Sequence, residues 1–174
     1  MIVDDDGTAV FDSNAILLYL GEKTGKFMPP AKDRGAWLSW LMFVATGVGP
    51  FAGQAVHFKH MATEKVPYAQ NRYQYEAARH FGVIEAHLAN HRYMVGETYT
   101  IVDMALWGWT RMLPLVNGEE AWAKFPNLKR LTDEIDARPA AAKAATLKDK
   151  FTFKATMDDE ARTHMLRHLE RNAA

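Results

Sequence analysis

Cysteine is absent from all 174 residues, which excludes disulfide bracing, thiolate zinc sites and any redox step through a protein thiol. Redox chemistry here requires a thiol carried by a ligand. Excess charge is absent too: 21 Lys plus Arg balance 21 Asp plus Glu, so no bulk attraction draws the chain to nucleic acid or to an anionic membrane. No secretory signal precedes the first residues, and no apolar run reads as long enough to span a bilayer, which makes the cytoplasm the expected compartment, with no membrane partner. A phosphate-cradling glycine loop, a Gly-x-Ser-x-Gly elbow and a nucleotide fingerprint are likewise missing, and the reaction classes they serve lose their support. What remains is 48% hydrophobic and 11% aromatic, enough for a substantial globular core.

Ile2-Val3-Asp4 and Thr8-Ala9-Val10-Phe11 are short apolar runs separated by Asp5-Asp6-Gly7, and an Asp-Gly pair between two such runs predicts a β-hairpin. Asp12 or Ser13 then caps a helix through Ala15, Ile16, Leu17, Tyr19 and Leu20, with Gly25 as its natural C′ residue. A two-stranded hairpin with one helix cannot bury both of its faces, so this β-β-α unit must lean on something else.

From Asp33 the pattern changes to a helical period, with Trp37, Leu38, Leu41 and Met42 on one stripe, after Pro29-Pro30 closes the first unit. The helix is expected to kink or break at Gly47, Gly49 and Pro50 and to resume from Phe51 to about His60. Pro67 suits the first turn of a second long helix carrying Tyr68, Tyr75, Phe81, Ile84 and Leu88. Thr100-Ile101-Val102-Asp103 fits a capping box with Asp in place of Glu, and Tyr99 and Met104 fall at the positions of a hydrophobic staple. A further helix is expected from Phe125-Pro126-Asn127-Leu128 through Ile135, ending at Arg138-Pro139, and the alanines of 140–145 favour helix. The charged remainder reads as an extended or frayed tail over residues 149–174.

His57 and His60, spaced i, i+3, could share a helix face, but with no Cys and no acid between them they make no metal site. His80, His87 and His91 are spaced too loosely to form a ligand set, and Trp107, Trp109, Trp122 and Phe125 read as packing.

The string from Ile2 through Phe11-Asp12-Ser13-Asn14-Ala15-Ile16-Leu17-Leu18-Tyr19-Leu20 resembles the second half of the thioredoxin-like domain of glutathione transferases. Gly96-Glu97-Thr98-Tyr99-Thr100-Ile101-Val102-Asp103 resembles a buried box of that family's helical domain, and Phe125-Pro126-Asn127-Leu128 with Arg138-Pro139 resembles another of its segments. Gly49-Pro50-Phe51-Ala52-Gly53-Gln54-Ala55-Val56-His57-Phe58, followed by Pro67-Tyr68-Ala69-Gln70-Asn71-Arg72-Tyr73, is similar to the bacterial nu-class branch, whose members are glutathione-dependent disulfide-bond oxidoreductases.

The resemblance implies a mainly α fold: a truncated thioredoxin-like β-β-α unit at residues 1–28, then an all-α C-terminal helical domain at 33–148. It implies glutathione as ligand or substrate. Asp12 and Ser13 hold its γ-glutamyl group, and Arg72 makes a further contact. The position chemistry agrees: a helix N-terminus and a hydroxyl favour a carboxylate, and an adjacent acid favours an ammonium, while a guanidinium grips a carboxylate at two points. A glutamine common in the branch is replaced by Val44, which removes one polar contact. A β-α-β unit expected before Ile2, which would stabilise the glutathione thiolate, has no counterpart in the sequence. Two functions follow as expectations: glutathione-dependent thiol transfer or disulfide reduction, and a non-catalytic binding or assembly role. Homodimerisation through Phe51 and its apolar neighbours is expected in either case.

Overall fold

The computed structural model describes residues 1–154 and 156–170. Strands β1 (Ile2–Val3) and β2 (Ala9–Val10) pair antiparallel, with Ile2 opposite Val10 and Val3 opposite Ala9. Gly7 takes φ +87° in the turn and donates its N–H to the Asp4 carbonyl at 2.9 Å, the left-handed geometry that makes Asp-Gly a turn signal. Asp4 fastens this hairpin to the following helix by accepting from the Lys23 ammonium and the Tyr19 hydroxyl. Those bonds hold the Asp4 carboxyl down to about 2, and the bond to Asp4 pushes the Tyr19 hydroxyl up to about 12. Helix α1 (Ser13–Thr24) starts after Asp12 and stops where Gly25 turns left-handed at φ +65°.

The next helical run is continuous. A 3₁₀ turn at Ala31–Asp33 leads into α2 (Arg34–Phe43), a π turn at Val44–Val48, α3 (Gly49–Val56) and a second π turn at His57–Met61. The expected break at Gly47–Pro50 is therefore replaced by a local widening. Proline has no N–H to donate and its ring crowds the carbonyl four residues back; an i→i+5 turn just before Pro50 relieves both. Gly47 is needed in that turn, because a Cβ there would lie 2.6 Å from the His80 ring. Joined in this way, residues 31–61 are long and apolar enough to cross a bilayer by length and composition, which the sequence pattern, read as two shorter helices, does not suggest. In the fold, the stripe of Trp37, Leu41, Val44, Val48 and Ala52 is buried in the core.

Helix α4 (Pro67–Leu88) packs on α3 and on the first π turn. It buries Phe81, Ile84 and Leu88, while Tyr68 and Tyr75, grouped with them by the sequence pattern, face solvent. Helix α5 (Ile101–Thr110) begins at the expected box: Asp103 accepts from Thr100 N at 2.8 Å, from Thr100 Oγ1 at 3.1 Å and from Met94 N at 2.8 Å. Burial pushes the Asp103 carboxyl above its ordinary value, outweighing those hydrogen bonds.

Helices α6 (Leu113–Asn117), α7 (Ala121–Lys124), α8 (Pro126–Asp136) and α9 (Pro139–Ala145) complete the body. Glu85 of α4 caps α8 across the core, accepting from Asn127 N at 3.0 Å and Leu128 N at 2.8 Å. The arrangement is the mainly helical one expected, with a short two-stranded sheet at its start.

The stretch expected to be an extended or frayed tail differs. Residues Asp159–Glu170 form helix α10, started by the Asp158 carboxylate, which accepts from Ala161 N at 3.0 Å, and favoured by the acids Asp159 and Glu160 in the first turn. Arg162 ties it to the second π turn, donating to the Met61 carbonyl at 2.7 Å. Residues 155 and 171–174 of that expectation lie outside the described residues.

Candidate functional site

Asp12 and Ser13 stand together, exposed, at the N-terminus of α1. Asp12 Oδ1 accepts from Asn14 N at 2.8 Å and from Ala15 N at 3.2 Å, so of the two candidate caps it is Asp12 that closes the helix. Its backbone lies at φ +70° and ψ 131°, a conformation that disfavours a side chain and costs on the order of 1–3 kcal/mol. Strain of that kind persists where the surroundings fix a geometry. With one carboxylate oxygen occupied by the helix, the other is left for a cation. Ser13, in the first turn, presents a hydroxyl where the helix carries its partial positive charge.

Two cavities flank α1. One, of about 540 Å³, separates the end of the hairpin from α2 and is lined by Phe11, Asp12, Asn14 and Ala15 on one side and by Leu41, Met42 and Ala45 on the other. Asn14 is nine-tenths buried there, and its side-chain carbonyl has no hydrogen-bond partner among the described residues. A buried amide oxygen in that condition costs about 1–3 kcal/mol, so the site is short of one donor. The second cavity, of about 560 Å³, lies between α1 and α5, α8 and α9 and is almost wholly apolar, with Leu17, Phe27, Tyr99, Met104 and Trp107 among its walls. Both staple residues, Tyr99 and Met104, are thus wall residues, and Arg138 stacks over the Tyr99 ring at 3.9 Å.

Arg72 is not among the residues lining the cleft at Asp12. It lies half-exposed on α4 and donates to Glu76 Oε1 at 3.3 Å. Glu76, nearly buried, accepts more closely from Arg79 Nε at 2.9 Å, and that bond foremost holds its carboxyl below the usual range. His80 follows with Nδ1 donating to the Glu76 carbonyl at 2.7 Å, its ring between Phe43 and Phe51 at centroid distances of 5.1 and 4.8 Å. Val44 is fully buried in the core and presents nothing to a ligand.

His60 is engaged with the Leu115 carbonyl at 2.8 Å, and among the described residues no group of three His, Cys, Asp or Glu side chains comes together around a metal-sized space. Of the tryptophans, Trp109 packs on Gly49, where a Cβ would approach it to 2.8 Å, while Trp107 reaches out to bond Asp136 at 2.8 Å. Sequence reasoning missed Asn14, Glu76 and Arg79. The i+4 and i+3 spacings of Arg72, Glu76 and Arg79 on a helix were a signal for the last two; a missing partner for Asn14 leaves no trace in a sequence.

Residues 50–139 match the family described as glutathione S-transferase, C-terminal domain. The disulfide-bond oxidoreductase YfcG of Escherichia coli is 39% identical over 144 residues, covering 78% of this chain and 63% of that protein. The disulfide-bond oxidoreductase YghU of the same organism is 38% identical over 138 residues, covering 75% and 48%. The chain thus spans about half to two thirds of the length of these relatives. Among solved structures, the glutathione transferase URE2P6 of Phanerochaete chrysosporium, in complex with oxidised glutathione, superposes with a TM-score of 0.77 at 32% identity, over 84% of this chain and 70% of that one. A glutathione transferase from Burkholderia graminis with two glutathione molecules bound per subunit gives a TM-score of 0.75 at 32% identity, over 85% and 65%.

Proposed function

Because the chain belongs to the glutathione S-transferase family, we propose that it binds glutathione at the N-terminus of α1, with Asp12 and Ser13 holding the γ-glutamyl group and Arg72 meeting a carboxylate, in the service of thiol transfer or disulfide reduction. The observation that carries this reading is the conformation of Asp12. An acid held at φ +70° beside an exposed helix N-terminus and its serine is a costly way to build a cap alone, and a well-suited way to present a carboxylate and a hydroxyl to a zwitterion.

The reaction class is suggested by the relatives, two of which are named disulfide-bond oxidoreductases, and the absent cysteines leave no thiol of this chain to carry it. Both electrons for a disulfide must come from glutathione: one thiolate attacks a disulfide sulfur, forms a mixed disulfide and expels the second sulfur as a thiolate; a second glutathione then attacks, giving glutathione disulfide and the other reduced thiol. The residues at α1 grip and orient the tripeptide in this scheme. A reducing compartment such as the cytoplasm, rich in small thiols, suits the scheme.

Ser13→Ala tests the site without removing the cap. Calorimetric titration with reduced glutathione is expected to show binding by the parent chain and a loss of about tenfold in the variant, on the order of the 1.4 kcal/mol of one charge-assisted hydrogen bond. A folded parent chain that ignores glutathione would overturn the reading.

A second reading, a non-catalytic binding or assembly protein, is supported by the apolar surface around the hairpin: Val3 and Phe11 are largely exposed and Phe27 partly so. Homodimerisation fits either reading. Phe51 is half-buried against His80 and Tyr73, so the exposed Tyr68 and Tyr75 of α4 are better placed for such an interface. Sedimentation equilibrium separates these outcomes: a monomer without ligand binding would contradict both readings.

A further inference from the structure

Two arginines compete for one carboxylate on α4. Glu76 sits between Arg72, four residues before it, and Arg79, three residues after it. Arg79 Nε approaches Oε2 to 2.9 Å, whereas Arg72 stands 3.3 Å from Oε1. Arg79 is also pinned from its far side. Its Nη2 lies 3.5 Å from His80 Nε2, and His80 Nδ1 carries the proton it donates to the Glu76 carbonyl at 2.7 Å. In the neutral ring Nε2 is then the acceptor that faces Arg79. The His80 ring cannot swing away, since Phe43 and Phe51 flank it and Gly47 abuts it, with Nε2 only 2.7 Å from where a Cβ would be. Among the described residues, Arg79, the nearer partner of Glu76, thus has a second contact at His80, while Arg72, the more distant one, has the carboxylate alone.

Resting on the reading of Arg72 as a glutathione contact, we propose that Glu76 is an internal competitor for Arg72 and that Arg79 is the positioning residue that weakens this competition. Arg79 engages the Glu76 carboxylate and leaves Arg72, half-exposed and loosely paired, to a carboxylate of the ligand. The trio carries two cations against one anion, so one positive charge is left over for that carboxylate. Arg79 need not touch the ligand. It acts through Glu76, as the His80 ring in turn acts through Arg79.

A role of this kind produces opposite effects from neighbouring substitutions, and a double-mutant cycle reads it. With reduced glutathione as the probe, Glu76→Gln removes the competitor and is expected to tighten binding about threefold to tenfold. Arg79→Gln turns Glu76 onto Arg72 and is expected to weaken binding by a similar factor. The double variant, in which Arg72 again has no competitor, is expected to bind like Glu76→Gln. Bulk electrostatics predicts instead that the double variant returns to the parent value, because the two charge changes cancel; that result would overturn the proposal, as would weaker binding by Glu76→Gln. Arg79→Lys serves as a second variant, since it keeps the charge and loses the planar fork: weakened binding supports the positioning role, and the parent affinity contradicts it. Circular dichroism establishes that each variant is folded. Arg72→Gln separates the two levels. If it leaves glutathione affinity unchanged, the reading of Arg72 as a contact fails; if it weakens binding while the cycle is additive, only the competition between Glu76 and Arg79 fails.

Discussion

The hairpin and α1 differ from the helical body in what they bury. In the body, Leu41, Val44, Phe81, Ile84, Leu106 and Leu128 lose essentially all contact with solvent. In the first unit, α1 buries only Asn14 and Gly21, and Phe11 remains 76% exposed. The body closes on itself, and it caps its own helices: Asp103 satisfies the start of α5 and Glu85 the start of α8, although Asn117 Oδ1 of α6 is buried without a partner among the described residues. The first unit has an orphaned buried carbonyl at Asn14 and a strained Asp12. Most of the buried apolar surface lies in one region, and the strained acid beside an exposed helix start lies in the other.

Substitutions in the body should be the most damaging. Ile84→Ala, at a fully buried position, is expected to cost about 3–4 kcal/mol by transfer and cavity formation, measured by denaturant unfolding. Asp103→Ala leaves two backbone N–H groups and the Thr100 hydroxyl without their acceptor and is expected to cost about 2–3 kcal/mol. A loss below about 0.5 kcal/mol at either site would break the contrast. Phe11→Ser, on the exposed side, should change stability by less than about 0.5 kcal/mol while reducing any self-association seen in sedimentation.

Acid acts on the two regions in opposite senses, through Asp4 in the hairpin and Asp103 in the body. Asp4, held down to about 2 by Lys23 and Tyr19, contributes to the hairpin above the ordinary carboxylate pKa, and that contribution is lost as pH falls toward about 2. Burial raises Asp103, so its ionised form works against the fold at neutral pH and protonation on acidification relieves it. Carboxyl titration by NMR should find Asp4 below and Asp103 above the ordinary value; the reverse order would contradict the assignment of the two environments.

Much of this was legible because it was local. The Asp-Gly turn, Gly25 after α1, Pro67 in a first turn, the helix end before Pro139, and the box from Thr100 to Asp103 all act within a few residues, and all are found where the pattern places them. The π turn at Val44–Val48 was not legible, since it depends on Gly47 meeting a histidine from another helix. Helix α10 was hidden by its charged composition and is tied down by a bond from Arg162 to a carbonyl 101 residues away. At the candidate site, Asp12 and Ser13 could be read from the pattern only as a helix start, and a ligand role for them, as for Arg72, only from a resemblance. The shared carboxylate of Glu76 and the unpartnered Asn14 emerge only when side chains are placed in space.

Glutathione bound as proposed meets the strained start of α1 and leaves the body's core untouched. An ¹H–¹⁵N NMR titration with reduced glutathione tests it residue by residue. The account predicts saturable shifts at the Ser13, Asn14 and Ala15 amides and at the Arg72 side chain, with Ile84, Val102 and Leu106 unmoved. Shifts confined to other surfaces, or none at glutathione concentrations where the chain stays folded, would contradict it.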